Sequence, residues 1–125
     1  MTDTQNRKTI LVVDDMPENI DILAGILKSE YVVKAATSGK LALQIATSDP
    51  PDLIMLDVMM PEMDGREVLR LLKSDERTRR IPVIFVSGKD KLDILNDVKG
   101  PDVAACLKKP LAPDEVMETV RRRIL

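Results

Sequence analysis

The sequence has 125 residues, of which 32% are charged and 44% hydrophobic, and its formal net charge is −2. We expect one globular domain over residues 1–125, with an ordered core from about residue 8, and no electrostatic attraction to nucleic acid or a membrane surface. No apolar run approaches the roughly 20 residues of a membrane span, and the single cysteine and polar N-terminus favour the cytoplasm. The absence of histidine excludes a histidine-ligated metal, a histidine-activated nucleophile and a phosphohistidine.

Apolar runs and turn signals alternate along the chain and predict five strands, each followed by a helix. The predicted strands are 9–13, 31–36, 53–57, 82–86 and 103–107. Lys34 indicates an edge position for the second strand. The apolar faces predicted for the first two helices include Met16 and Leu41, respectively. Ser38 and Asp64 are expected to cap the second and third helices, and Asp90 to begin the fourth, which runs to Val98.

The last predicted helix begins at Pro113 and carries acidic residues in its first turn and three arginines, Arg121 to Arg123, at its end. This charge order complements a helix dipole. A basic tail that binds nucleic acid is the alternative, but three arginines closing a helix are more typical of a solvated helix end.

This alternation predicts an α/β fold, a doubly wound sandwich with a parallel sheet between helices. The flavodoxin-like (βα)5 strand order 2-1-3-4-5 is the natural arrangement for five strands, and it places the ends of strands one and three side by side. Asp14 and Asp15 follow the first strand and Asp57 ends the third. Ser87 and Lys109 end the fourth and fifth strands on the same rim.

Three carboxylates in one crevice repel each other and need a compensating cation. Mg²⁺ prefers oxygen ligands and suits this set, with Mn²⁺ as a substitute, whereas zinc would favour His or Cys. Asp57 can then act as a nucleophile toward phosphorus, with Lys109 and Ser87 neutralising the phosphoryl oxygens. Taken singly, the Asp14–Asp15 pair is equally well explained as a helix cap, whereas Ser87–Gly88 is better explained as a turn and Lys109 as a surface lysine.

The motifs at these strand ends resemble those of the receiver domain of two-component response regulators, and the resemblance covers essentially the whole chain. The motifs are Val12-Val13-Asp14-Asp15, Leu56-Asp57 with Met60-Pro61 and Met63-Asp64-Gly65, Val86-Ser87-Gly88, and Leu107-Lys108-Lys109-Pro110. The resemblance implies that Asp57 accepts a phosphoryl group from the phosphohistidine of a sensor histidine kinase or phosphotransfer protein. The domain would catalyse its own phosphorylation and dephosphorylation but act mainly as a signalling switch in a phosphorelay.

The resemblance also implies a role for each residue around Asp57. Asp15 would ligate Mg²⁺ directly and Asp14 mainly through water, with Asp57 and the backbone carbonyl of Met59 completing the set. Lys109 would pair with Asp57 and then with the phosphoryl group, and Ser87 would be the switch hydroxyl. The Lys109–Pro110 bond corresponds to one that is usually cis in receivers.

Three features depart from the usual receiver pattern. Cys106 stands where receivers carry an aromatic switch residue, and as a free thiol it is more typical of a small buried hydrophobe than of a redox group. Residues 89–105 differ from the usual pattern, so the face of the fourth helix, fifth strand and last helix is expected to be unusual where it binds an output domain or a second copy. Met59 and Lys89 occupy positions that tune dephosphorylation. Because Met59 offers no hydrogen bond to water, we expect slow to moderate self-dephosphorylation.

Three other functions compete with this interpretation. A degenerate receiver would bind a partner without phosphorylation, which Cys106 weakly favours and the complete set of acids, Ser87 and Lys109 disfavours. An aspartate-nucleophile phosphatase needs a second acid two residues after the nucleophile, where this chain has Met59. A flavodoxin-like FMN carrier needs a phosphate-binding loop after the first strand, where Asp14 and Asp15 would repel phosphate.

The chain is expected to be a stand-alone receiver or one excised from a larger regulator. Its first helix is similar to that of receivers fused to cyclic-dinucleotide turnover or kinase modules.

Overall fold

Five short, apolar strands form the centre of the molecule in a computed structural model that describes residues 7–88 and 103–124. The strands are β1 (Thr9–Val13), β2 (Val32–Ala36), β3 (Leu53–Asp57), β4 (Val83–Ser87) and β5 (Ala105–Lys108). The described helices, numbered in chain order, are α1 (Pro17–Leu27), α2 (Gly39–Ser48), α3 (Gly65–Ser74) and α4 (Pro113–Arg123). The predicted helix from Asp90 to Val98 lies outside the described residues.

All strand pairs in the sheet are parallel, and the strand order is β2-β1-β3-β4-β5. The predicted doubly wound α/β fold is thereby confirmed, as is the edge position of β2. In the register, Val13 at the end of β1 lies between Ala36 of β2 and Leu56 of β3. The carboxyl ends of β1 and β3 are therefore neighbours, and the residues that follow them meet at one edge of the sheet.

The two faces of the sheet bury separate hydrophobic clusters, because alternate residues of a strand point to opposite sides. Leu11 and Leu56 pack with side chains of α2 and α3 on one face. Val12 and Met55 pack with side chains of α1 and α4 on the other face. β3 is buried at every position, including its final Asp57. This double coverage explains why β3 is a continuous apolar run rather than an alternating one.

Two helix starts have the side-chain caps that the sequence predicts. The Ser38 hydroxyl accepts a hydrogen bond of 3.1 Å from the backbone N–H of Leu41. The Asp64 carboxylate accepts one of 2.7 Å from the N–H of Arg66. Each cap satisfies a backbone donor in the first turn, so both predictions are confirmed.

Two residues assigned to buried helix faces are exposed, which corrects the sequence analysis. Met16 is 50% exposed because it precedes α1 as its N-cap residue, with extended backbone angles that take its side chain off the helical face. Leu41 is 38% exposed because the buried stripe of α2 runs through Gly39, Ala42 and Ala46 instead.

The arginines at the end of α4 are exposed, and two of them form ion pairs. The Arg121 guanidinium donates hydrogen bonds of 2.8 and 3.2 Å to the Glu30 carboxylate, and Arg122 bonds Glu118. The pair with Glu30 ties the end of α4 to the segment that follows α1. These contacts agree with a solvated helix end. Among the residues described, no helix is long and apolar enough to cross a membrane.

Candidate functional site

Three carboxylates meet where β1 and β3 end. Asp14, Asp15 and Asp57 each offer one oxygen, and these oxygens all lie within 4.8 Å of one another. Asp14 is 2% exposed and Asp57 5% exposed, whereas Asp15 is half-buried. The sheet thus brings together the three acids that the sequence analysis assigns to one crevice.

Lys109 supplies a positive charge to this cluster from the loop after β5. Its Nζ donates a hydrogen bond of 3.2 Å to Asp14 Oδ2 and lies 3.7 Å from Asp57 Oδ1. The ammonium group therefore contacts two carboxylates, Asp57 and the nearer Asp14, of which the sequence analysis named only Asp57 as its partner. The backbone N–H of Lys109 donates to the Ser87 carbonyl at 2.8 Å, and the Lys109–Pro110 peptide bond is cis.

Two backbone N–H groups also point at the acids, each from the residue two positions further along the chain. The N–H of Met16 donates to Asp14 Oδ1 at 2.9 Å, and the N–H of Met59 donates to Asp57 Oδ1 at 3.3 Å. Such short-range bonds are typical of Asx turns. Each carboxylate is thus bonded to the backbone of the loop that follows it, and this bond fixes the orientation of the carboxylate in the crevice.

Burial, and then the negative charge of Asp14, raise the pKa of Asp57 to about 6. Lys109 and the N–H of Met59 favour the ionised form, but they offset only part of this rise. At neutral pH Asp57 is largely ionised, so the crevice holds more negative charge than Lys109 neutralises. A bound cation would relieve this repulsion.

Gly65 sets the path of the loop that follows Asp57, a role that the sequence analysis missed. A Cβ at this position would lie 2.3 Å from the carbonyl oxygen of Asp57 and 2.8 Å from the Cα of Val58. The Gly65 N–H also donates to the Val58 carbonyl at 2.9 Å. Glu62, with a φ of 67°, turns the chain back within this loop. The Asp64-Gly65 pair was a sequence signal for a turn, but only the fold shows that the helix start presses on the Asp57 backbone.

The remaining predicted site residues that the structure describes differ in burial. Ser87 is fully buried at the end of β4, and Met59 is 54% exposed. Cys106 is half-buried in β5, pairs with Phe85 in the register and packs against the cluster on the α2 and α3 face. Lys89 lies outside the described residues.

The donors in the crevice fit a hard divalent cation. The acids offer carboxylate oxygens, the ligand type that Mg²⁺ and Mn²⁺ prefer, and Mg²⁺ usually takes one or two carboxylates together with water. Two of the three carboxylates are almost fully buried, and the charge of Lys109 does not balance them. The chemistry of the donor set and the excess negative charge therefore both agree with a bound cation.

Comparisons with known proteins identify relatives of this chain. The response regulator PleD of Caulobacter vibrioides is 44% identical over 119 residues, which cover 93% of this chain and 25% of PleD. A probable cyclic di-GMP phosphodiesterase of Vibrio cholerae is 51% identical over 81 residues, which cover 65% of this chain and 18% of that protein. The chain thus spans a quarter or less of the length of these relatives.

A solved structure gives the same fold at lower identity. It is the receiver domain of the sensor histidine kinase PA1611 from Pseudomonas aeruginosa PAO1, with a magnesium ion coordinated in the active site cleft. The TM-score is 0.84 at 26% identity, and the match covers 94% of this chain and 97% of that one. The family model of the response regulator receiver domain matches residues 10–121. The chain therefore belongs to the response regulator receiver domain family.

Proposed function

We propose that this receiver domain takes a phosphoryl group onto Asp57 in a reaction that depends on Mg²⁺. The observation that carries the proposal is the buried carboxylate of Asp57 at the end of β3, with two further acids and the Lys109 ammonium around it. A nucleophile for phosphoryl transfer needs positioning and neutralisation of the phosphoryl oxygens more than it needs covalent chemistry from its neighbours. The crevice offers a carboxylate, a cationic side chain and backbone N–H groups for this purpose.

Each residue of the crevice has a stated part in the proposed reaction. An oxygen of Asp57 bonds to phosphorus while the bond from phosphorus to the imidazole nitrogen of the donor phosphohistidine breaks. Asp14, Asp15, Asp57 and the Met59 carbonyl would hold Mg²⁺, which neutralises charge on the phosphoryl oxygens. The Lys109 ammonium and the Ser87 hydroxyl are assigned to the phosphoryl oxygens after transfer. Aspartyl phosphate is then the signal, and the domain acts mainly as a switch.

We propose that the conformational change begins at Ser87 and is transmitted to the neighbouring strand, β5. Ser87 ends β4, and its neighbour in the register is Lys108 of β5. Cys106, two residues earlier in β5, packs against the core from a half-buried position. A thiol sweeps a smaller volume than an aromatic ring, so we infer that the signal is carried by backbone movement of β5 more than by a rotamer change at Cys106.

Receiver domains work with histidine kinases and output domains, and the partners of this chain are proposed within that frame. Its donor would be a sensor histidine kinase or a phosphotransfer protein in the cytoplasm. Because the chain spans only part of PleD and of the Vibrio cholerae phosphodiesterase, we propose that residues 1–125 form one receiver domain that controls an output domain or a second copy of itself. The last helix and β5 would provide part of that contact.

Intact mass after incubation with Mg²⁺ and a small acyl phosphate tests the phosphorylation directly. We expect the gain of one phosphoryl group, lost in Asp57→Asn and lost when a chelator removes Mg²⁺. Asp75→Asn is the matched control, because Asp75 is a carboxylate at the end of α3 that is paired with Arg77, and it should retain the gain.

Absence of a mass gain in protein shown to be folded would contradict self-catalysed phosphorylation from small donors. If the phosphohistidine of a kinase also failed to transfer, the binding-only degenerate receiver would take its place. A gain that survived in Asp57→Asn would show that another residue is the acceptor.

A further inference from the structure

We propose that Met16 and Met59 form a methionine oxidation site at the rim of the acid crevice. Hydrogen peroxide would convert these two thioethers to sulfoxides, and the sulfoxide at Met59 would shorten the lifetime of the phosphoryl group on Asp57. The oxidation site stands on exposure and position alone, whereas its effect on the phosphoryl group rests on the proposed function.

The two methionines occupy equivalent places in the two loops that form the crevice. Each follows a buried aspartate by two residues, and each donates its backbone N–H to that aspartate's Oδ1, at 2.9 Å for Met16 and 3.3 Å for Met59. The aspartates themselves offer oxygens within 4.8 Å of each other. The backbone of both methionines is therefore attached to the carboxylates at the centre of the site.

Their side chains extend away from the core, in contrast with the other described methionines. Met16 is 50% and Met59 54% exposed, whereas Met55 is 1% and Met60 9% exposed, and Met63 and Met117 are partly buried against the hydrophobic clusters. Methionine commonly fills gaps in a hydrophobic core, and these two exposed side chains do not have that role. Oxidants in solution reach these two side chains without any opening of the fold.

The chemistry needs one peroxide molecule for each methionine. The thioether sulfur attacks one peroxide oxygen, a sulfur–oxygen bond forms, the oxygen–oxygen bond breaks, and the remaining oxygen leaves as water after proton transfer. Sulfur loses two electrons and the peroxide gains them. Two methionine sulfoxide reductases, each specific for one epimer of the sulfoxide, reduce it back to the thioether, so the modification is reversible.

The sulfoxide changes what the rim of the crevice offers to water. A thioether is a weak acceptor, but the sulfoxide oxygen is polar and accepts strong hydrogen bonds. At Met59 this acceptor would lie on the residue whose N–H bonds the phosphoryl-accepting carboxylate. One added hydrogen bond to an attacking water is expected to shorten the phosphoryl lifetime about threefold.

Peptide mapping of the whole chain after brief peroxide treatment tests the site without any phosphorylation. Dithiothreitol added after quenching reduces reversible oxidation of Cys106 and leaves the sulfoxides in place. We expect Met16 and Met59 to oxidise roughly tenfold faster than Met55, which must wait for local opening of the fold. Equal rates at Met55, or at Met117 and Met59, would overturn the assignment.

The lifetime of the phosphorylated protein before and after peroxide tests the consequence. We expect about a threefold decrease that sulfoxide reductases reverse and that the double variant Met16→Leu/Met59→Leu lacks, each protein being compared with its own untreated sample. Met117→Leu, a volume-conserving change outside the crevice, should keep the decrease. An unchanged lifetime in oxidised wild-type protein would overturn the inference alone. Failure of the untreated protein to take a phosphoryl group would instead overturn the proposed function, and the coupling with it.

Discussion

Two aspartates at the ends of neighbouring elements, Asp57 as the last residue of β3 and Asp75 directly after α3, have opposite environments. Asp57 is 5% exposed, and its pKa is raised to about 6 by burial and by the charge of Asp14. Asp75 is bonded by Arg77 through its side chain at 2.8 and 3.1 Å and its backbone N–H at 2.9 Å. These bonds lower the pKa of Asp75 to about 2.

The difference separates a carboxylate that serves local structure from one that serves chemistry. The Asp75 carboxylate accepts its hydrogen bonds from Arg77, two residues further along the chain. Its negative charge is therefore paired within one turn and needs no ligand. Asp57 shares its nearest cation, Lys109, with Asp14, which lies closer to the ammonium group. A buried carboxylate without a full partner costs folding free energy, and at a functional site that cost is recovered when a ligand binds.

The largest expected effect comes from Gly65→Ala. This substitution would disturb the backbone next to Asp57 and leave the surroundings of Asp75 unchanged. The added Cβ meets the Asp57 carbonyl at 2.3 Å, and backbone atoms cannot move aside as a flexible side chain can. We expect unfolding in urea to show a loss of about 3 kcal/mol, together with weaker Mg²⁺ binding.

Gly25→Ala is the matched control for that substitution, because a Cβ built at Gly25, in the last turn of α1, meets no atom within 4 Å beyond its chain neighbours and the backbone of its own helix. This change should stabilise the protein by about 0.5–1 kcal/mol through helix propensity. A destabilisation by Gly65→Ala no larger than 0.5 kcal/mol, on the order of a surface change, would contradict the close approach.

The next effect is a gain of stability in Asp57→Asn at pH 7 without Mg²⁺. The pKa of Asp57 is about 6 in the folded protein, against an ordinary value of 3.8, so the folded state binds more protons than the unfolded state between these values. Stability of the wild type therefore falls as pH rises from about 4 to 6, and the variant lacks this fall. We expect the variant to be more stable by about 2 kcal/mol at pH 7 and equal to the wild type below pH 4.

Thermal unfolding across pH 3–8 measures this difference, and saturating Mg²⁺ should reverse its sign because the cation stabilises the wild type by binding. A variant that is less stable than the wild type in chelator at pH 7 would show that the ionised Asp57 is already satisfied.

The smallest effect is expected for Asp75→Asn, and it has the opposite sign. The depressed pKa of Asp75 means that its contribution is present above about pH 4 and is lost as pH falls toward 2. The variant should be slightly less stable than the wild type at pH 7, by less than the change in Asp57→Asn, since exposed ion pairs contribute little. Acid unfolding followed by circular dichroism checks it, and a stabilised Asp75→Asn would remove the contrast between the two aspartates.

The amino-acid sequence by itself determined the strands, the helix caps at Ser38 and Asp64, and the strand order. These depend on signals within a few residues, namely apolar runs, capping side chains and the alternation of strand and helix. The meeting of Asp14, Asp15 and Asp57 followed from that order, since parallel strands end at a common edge. The predicted burial of Met16 and Leu41 was wrong. Met16 is the N-cap residue of α1 and has extended backbone angles, and the buried stripe of α2 consists of small residues that do not include Leu41.

Only the tertiary structure decided how the charges in the crevice are shared and what holds its loop. Lys109 contacts both Asp14 and Asp57, residues that are far from it in sequence, and which carboxylate it approaches depends on the packing of β5 beside β4. Gly65 fits because α3 starts against the backbone at the end of β3. Both features are distances between elements brought together by the fold, and local sequence patterns carry no measure of such distances.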